Sequence, residues 1–288
     1  MRKLIVEEKY NNKKVINFIL NSFPKLSSNT LYKALRQKDI KINGKRIHED
    51  TIVFENDEIQ VYISDELLGV NQNLDIIFED RNILLINKPV CLEVTGENSL
   101  TSIVHEKYKN SSFLPMPCHR LDRNTTGIVL FAKNENALNI LLEKFKNHEI
   151  EKHYIAKVIG IPKIEHLRME NYLFKDEKKS MVYISDNFKT GYQKIITTYT
   201  ILNKNTKNNT SILDVEIETG KTHQIRAHLA YIGHPIIGDG KYGFNDTNKK
   251  FNAKYQMLHS YRLKFNFKSD SGILNYLNQK EFICEEGF

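Results

Sequence analysis

The sequence predicts an α+β fold: a mixed, largely antiparallel central sheet flanked by helices, preceded by a small basic helix–helix–hairpin unit. Three observations carry this. From residue 75 onward, strand-like runs outnumber helical ones and do not alternate with them regularly. Near the N-terminus two helical periodicities stand close together, followed by Asn43-Gly44 between short alternating runs, a hairpin signal. The chain has 288 residues, 40% hydrophobic and 27% charged, enough to bury a core without staples.

The elements follow in order. Residues 13–22 (KKVINFILNS) place Val15, Phe18 and Ile19 on one helical face. Ser27, Ser28 and Asn29 offer N-caps for a second helix, Thr30–Gln37, with Leu31, Ala34 and Leu35 inward and Lys33, Arg36 and Lys38 mostly outward. The hairpin runs from Ile40 to Ile47, and residues 58–63 read as a closing strand. This unit is expected to span 1–65, with a linker at 66–74 and a larger unit at 75–288.

In the larger unit, Asp75–Glu79 and Ile83–Asn87 read as strands and Leu100–Lys109 as a helix. The continuous apolar run Gly127–Ala132 reads as a buried strand, followed by the helix Glu135–Asn147. Lys152–Val158, Lys194–Leu202 and Ser211–Glu218 are further strands, and Thr222–Ile232 is a helix that Thr222 can cap. The polar stretches Asn203–Asn209 and Asn245–Lys250 read as loops.

Charge is concentrated in one place. Between Lys13 and Arg46 stand nine Lys/Arg and one acid, Asp39, within a chain of net charge +7. Such a patch suits a polyanion, although a Lys-rich solvated face would look the same. Met1–Tyr10 has no apolar core of the kind a signal peptide needs, and no stretch approaches the length of a membrane span. Cys91, Cys118 and Cys284 are widely spaced, which argues against a disulfide framework and for a reducing, cytoplasmic setting.

Two polar clusters hold candidate chemistry. In His119-Arg120-Leu121-Asp122-Arg123, a carboxylate sits between two arginines just before the buried strand. Neighbouring positive charge favours the ionised carboxylate, which can serve as nucleophile or base, or simply as a loop ion pair. The second cluster, residues 219–228 (TGKTHQIRAH), opens a helix. Its His223 and His228 are five apart with no Glu between, so no metal is expected there, and turn or core hydrogen bonding is the preferred role for both.

Read together, "HRLDRNTTGIVLFAKN", "EKHYIAKVIG", "LDVEIETGKTHQIRAHLAYIGHPIIGDGKYG" and "MLHSYRLKF" resemble the RNA pseudouridine synthases of the large-subunit rRNA (RluA) type. The likeness covers about 75–268, opening on "IIFEDRNILLINKP". The N-terminal unit resembles the small RNA-binding domain shared by a small-subunit ribosomal protein and tyrosyl-tRNA synthetases, through the Lys33/Arg36 helix and "DIKINGKRI".

The resemblance implies isomerisation of uridine to pseudouridine in structured RNA, most readily large-subunit rRNA, with tRNA the other candidate. It implies no cofactor and no metal, and the chain is expected to work as a monomer. Asp122 matches the essential aspartate, which either attacks the nucleoside or removes a ribose proton. Tyr154 matches the tyrosine that stacks on the base. Arg226 matches the arginine that pairs with the aspartate, and Arg120 the one that fills the gap left by the flipped uridine. His119 and Lys152, beside them in the motifs, are assigned to substrate binding, and Lys33, Arg36 and Lys41 to RNA affinity. Cys91 stands where the family usually has Gly, so a tight turn there would be uncomfortable and an altered loop is expected. Lys221 replaces an Arg and loses its bidentate reach. The competing readings are a non-catalytic ribosome-assembly factor on the same fold and a nucleoside hydrolase.

Overall fold

The computed structural model describes residues 1–24, 26–63, 65–68 and 74–285, and it divides into two units, 1–73 and 74–288. Lys25 of the basic stretch and residues 69–73 of the expected linker lie outside the described residues.

The first unit opens with β1 (Arg2–Ile5) and β2 (Lys13–Lys14), followed by α1 (Val15–Ser22) and α2 (Ser28–Arg36). The hairpin is β3 (Ile40–Ile42) and β4 (Lys45–Ile47), then come β5 (Ile52–Val53), β6 (Glu58–Val61) and the single turn α3 (Asp65–Leu68). Ser27 accepts the Thr30 N–H and so starts α2. Asn43 and Gly44 both take positive φ, 48° and 78°, as a two-residue hairpin of this twist requires. The sheet order is β1-β6-β3-β4, and Val15, Phe18, Ile19, Leu31, Ala34 and Leu35 pack over it. β1 was not foreseen, and the expected linker begins on a helical turn whose Leu68 is buried.

The second unit runs β7 (Ile76–Glu79), β8 (Ile83–Lys88), α4 (Leu100–Lys107), β9 (Met116–Pro117), β10 (Thr126–Ala132), α5 (Glu135–Lys146), β11 (Ile150–Ile159), β12 (His166–Asp176) and β13 (Met181–Ser185). It continues with β14 (Gln193–Asn205), β15 (Thr210–Ile217), α6 (Gln224–Tyr231), α7 (Asn245–Lys250), β16 (Leu258–Phe265) and β17 (Glu281–Ile283). The main path of its sheet is β13-β12-β14-β15-β11-β16-β10-β8-β7. The pairings are antiparallel except that of β10 with β16. The expected mixed, largely antiparallel α+β sheet is therefore present.

The strands β10 and β16 pair only at Thr126–His259 and Gly127–Ser260, then part. β9 takes the freed edge of β10 and β17 the freed edge of β16. Gly127 makes the junction possible: its φ is 107°, and a Cβ there would overlap the Ser260 carbonyl. The apolar run of β10 is explained by two cores. Val129 and Phe131 face the core on the α4 and α6 side, while Ile128, Leu130 and Ala132 face the one under α5.

Three expectations are corrected. β14 continues to Asn205, because the polar stretch after Leu202 still pairs with β15. Asn245–Lys250 is a short helix, not a loop. The N-cap position of α6 is His223 in a left-handed conformation, φ 53°, rather than a Thr222 cap. Cys91 takes φ 65° despite its Cβ, at a cost of about 1–2 kcal/mol. Its carbonyl accepts the Arg123 Nε–H. No helix among the described residues is long and apolar enough to cross a membrane.

Candidate active site

A cavity of about 390 Å³ opens in the second unit. Its wall draws on the loop before β10, on β11, on the start of α6 and on Leu258 of β16. Gln224 fixes the entry to α6. Buried, it donates to the Ile196 carbonyl and to Thr197 Oγ1, and accepts from Thr219 Oγ1 and the Lys221 N–H. Arg226 is thereby set half a turn further on, facing the same space as Asp122.

The centre is a chain of three charges. Arg226 Nη1 donates to Asp122 Oδ2 at 2.9 Å. The same guanidinium grips Asp239 bidentately, Nε to Oδ2 at 2.7 Å and Nη2 to Oδ1 at 2.9 Å. Asp239 is fully buried and also accepts the backbone N–H groups of Lys241 and Tyr242. Burial works against its charge, but Arg226 and those N–H groups outweigh it and hold its pKa below the ordinary carboxylate value. Burial likewise opposes the Arg226 charge, and Asp239 and then Asp122 overcome it, so the guanidinium stays charged. Asp122 keeps 24% of its side chain exposed, and its Oδ1 has no hydrogen-bond partner among the described residues.

Tyr154 is 5% exposed and lines the cavity from β11. Burial, then the Asp122 charge, raises its pKa, so it is a neutral phenol. Lys152 and His119 line the same cavity, while Arg120 is exposed at its edge. Burial, then the Lys152 charge, lowers the His119 pKa to about 3. Five Lys/Arg, namely Arg120, Lys146, Lys152, Lys221 and Arg226, line the cavity against one carboxylate, Asp122. The mild net charge of the region conceals this local excess.

Of the sequence-derived candidates, Asp122, Tyr154, Arg226, Arg120, His119 and Lys152 are brought together on one cavity. Lys33, Arg36 and Lys41 belong to the first unit, where Lys33 and Arg36 are exposed and Lys41 half-buried. His228 is a core residue: Nδ1 meets Thr197 Oγ1, Nε2 meets Asn171 Oδ1, and burial lowers its pKa to about 4. His223 differs, since it lines the cavity and its Nδ1 meets the Tyr242 hydroxyl at 2.9 Å.

Two residues of this centre were not singled out in the sequence, Asp239 and Tyr242. Tyr242 carries the Arg226 guanidinium over its ring, 5.3 Å from the centroid. A signal for Asp239 did exist. It follows the apolar pair Ile236-Ile237 and stands between Gly238 and Gly240, a setting that buries a carboxylate and so demands a cation.

Comparison with known proteins shows the family. The family model described as RNA pseudouridylate synthase matches residues 82–231. An RNA pseudouridine synthase of Mycoplasma capricolum subsp. capricolum is 32% identical, over 98% of this chain and 97% of its own. The ribosomal large subunit pseudouridine synthase C of Rickettsia bellii is 33% identical, over 84% of this chain and 86% of its own. Among solved structures, human RNA Pseudouridylate Synthase Domain Containing 1 superposes with a TM-score of 0.59 at 22% identity, covering 70% of this chain and 82% of that one, a likeness of fold. With the family model spanning more than half of the chain and a relative 32% identical over nearly all of it, the chain belongs to the RNA pseudouridylate synthase family and is an isomerase of uridine in RNA.

Proposed function

We propose that the chain converts specific uridines of structured large-subunit rRNA to pseudouridine, with Asp122 as the reacting carboxylate. The observation that carries this is the Asp122–Arg226 pair, 2.9 Å, on a cavity whose wall holds no other carboxylate among the described residues. The reaction conserves every atom of uridine. The N1–C1′ bond breaks, the uracil turns, C5 bonds to C1′, and the C5 proton is replaced by one on N1. Nothing is oxidised or reduced, so the chemistry calls for no cofactor.

Arg226 occupies one Asp122 oxygen and leaves the other for the substrate. That oxygen either attacks the nucleoside or takes a ribose proton. The target base is unreachable while stacked, so it must flip out at about a few kcal/mol. Stacking on the neutral Tyr154 ring returns about 1–3 kcal/mol. Arg120, exposed at the edge, takes the space the base vacates.

The first unit supplies affinity. Among the described residues, Lys33, Arg36 and Lys41 pair with no carboxylate, while the acids behind them are engaged elsewhere: Asp57 with Asn43 and the Phe54 N–H, Glu58 with Lys3. Charge reversal at Lys33, Arg36 and Lys41 together will weaken RNA binding and flatten its salt dependence by about two to three in log–log slope. An unchanged slope in filter binding would take this surface out of the RNA contact.

The substrate is identified by mapping pseudouridine through carbodiimide-dependent reverse-transcription stops, with and without the gene. One or a few stops in large-subunit rRNA should vanish on deletion. Loss confined to tRNA would move the substrate there, and an unchanged map would favour a binding role. Release of free uracil would mark a hydrolase.

A further inference from the structure

Three lysines of the second unit are deeply buried, and two are satisfied by the protein. Lys88 donates to the carbonyls of Pro89, Leu92 and Arg123. Lys144 pairs with Glu149 at 2.9 Å and donates to Ser269. Lys152, 9% exposed, has neither kind of partner: among the described residues no carboxylate lies within ion-pair distance and no group hydrogen-bonds its ammonium. Its surroundings are the Phe145 ring, 5.2 Å from Nζ, and Gly220, where an added Cβ would come within 3.7 Å. Lys152 lines the cavity, and a cation so largely desolvated favours an anionic partner.

His119 adds a second unused donor. Its Nε2 accepts the Leu130 N–H at 3.1 Å, which places the proton of the neutral ring on Nδ1. That Nδ1 is buried and has no partner. The ring lines the same cavity as Lys152 and feels its charge.

We propose that Lys152 forms a phosphodiester subsite that holds a phosphate next to the flipped uridine. This rests on the reading that the cavity takes a uridine of RNA. Uracil is neutral, so its carbonyls cannot offset a cation, whereas the phosphate is the charged group of every nucleotide. Among the described residues, Asp122 shares the cavity but forms no ion pair with Lys152, its one pairing being with Arg226. Gly220 keeps the approach to Nζ open, and any larger residue there would narrow it.

The test uses the full-length enzyme and an rRNA fragment containing its mapped site. Lys152→Met should weaken filter binding by about 10- to 100-fold, the loss expected when a charge-assisted contact goes. Its log–log salt slope should fall by about 0.7–0.9, the release of one counterion. In tritium release from uridine labelled at C5, KM should rise more than kcat falls. Lys152→Arg should recover the slope. An unchanged slope in Lys152→Met melting at the wild-type temperature would overturn the subsite, and so would loss of the slope in Lys152→Arg as well. Filter binding needs no turnover. A wild-type enzyme that releases no tritium, yet loses one counterion on Lys152→Met, would refute the uridine reading while keeping the anion site.

Discussion

Asp122→Ala will abolish tritium release from RNA labelled at uridine C5, lowering kcat by about four orders of magnitude or more, while RNA affinity stays within a few-fold of wild type. The asymmetry of the charge chain gives the reason. Arg226 binds Asp239 through two nitrogens and Asp122 through one. Removing Asp122 therefore takes away the one carboxylate among the described residues of the cavity wall without stranding the guanidinium. The variant should melt close to wild type, and Asp122→Asn should be equally inactive because an amide is neither nucleophile nor base. Full activity in Asp122→Ala would refute the mechanism.

Asp239→Ala will behave in the opposite way, as a stability lesion first. It leaves a buried arginine with one of its two counter-ions and orphans the N–H groups of Lys241 and Tyr242. Breaking a buried pair from one side costs about 3–5 kcal/mol. For a domain of this size that lowers the melting temperature by about 6–20 °C. Asp239→Asn should be milder and should lower kcat with little change in KM, since Asp239 orients Arg226 and touches no substrate. The pH dependence has a definite sign. The folded-state pKa of Asp239 lies below its unfolded value, so its stabilisation is complete above the ordinary carboxylate pKa and is lost as pH falls through the folded one. Melting curves across the acid range should show that loss in wild type and its absence in Asp239→Asn.

How much of this was legible in the sequence depends on where each residue gets its partners. β10 was readable because both of its faces meet apolar cores, and the hairpin because Asn43-Gly44 dictates its own turn. β12 and β13 were not, since Met169 and Leu173 are the buried residues of the first and Val182 of the second. With so few buried positions, neither strand presents a long apolar run. Asn245–Lys250 has no apolar residue at all. Its helix is held from outside, by Asn248 accepting the Gly238 N–H and donating to the Asp239 carbonyl. The motifs located Asp122, Tyr154 and Arg226 but said nothing of why Arg226 stays fixed. That depends on Asp239, thirteen residues on and adjacent only after folding. At Cys91 the sequence flagged the right position, and the chain accepts the left-handed backbone instead of avoiding it.

The short parallel contact between β10 and β16 ties the loop of Asp122 to residues far along the chain. Thr126 Oγ1 meets His259 Nδ1 across 133 residues of sequence, beside the loop that carries Asp122. Gln256 reaches back in the same way to Thr125. Contacts so distant along the chain close late. A ribosome-bound nascent chain that already displays the folded first unit would still lack the anchor of its catalytic loop. On the proposed reading of the two units, RNA engagement would begin on an unfinished polypeptide, whereas turnover would wait until β16 has emerged.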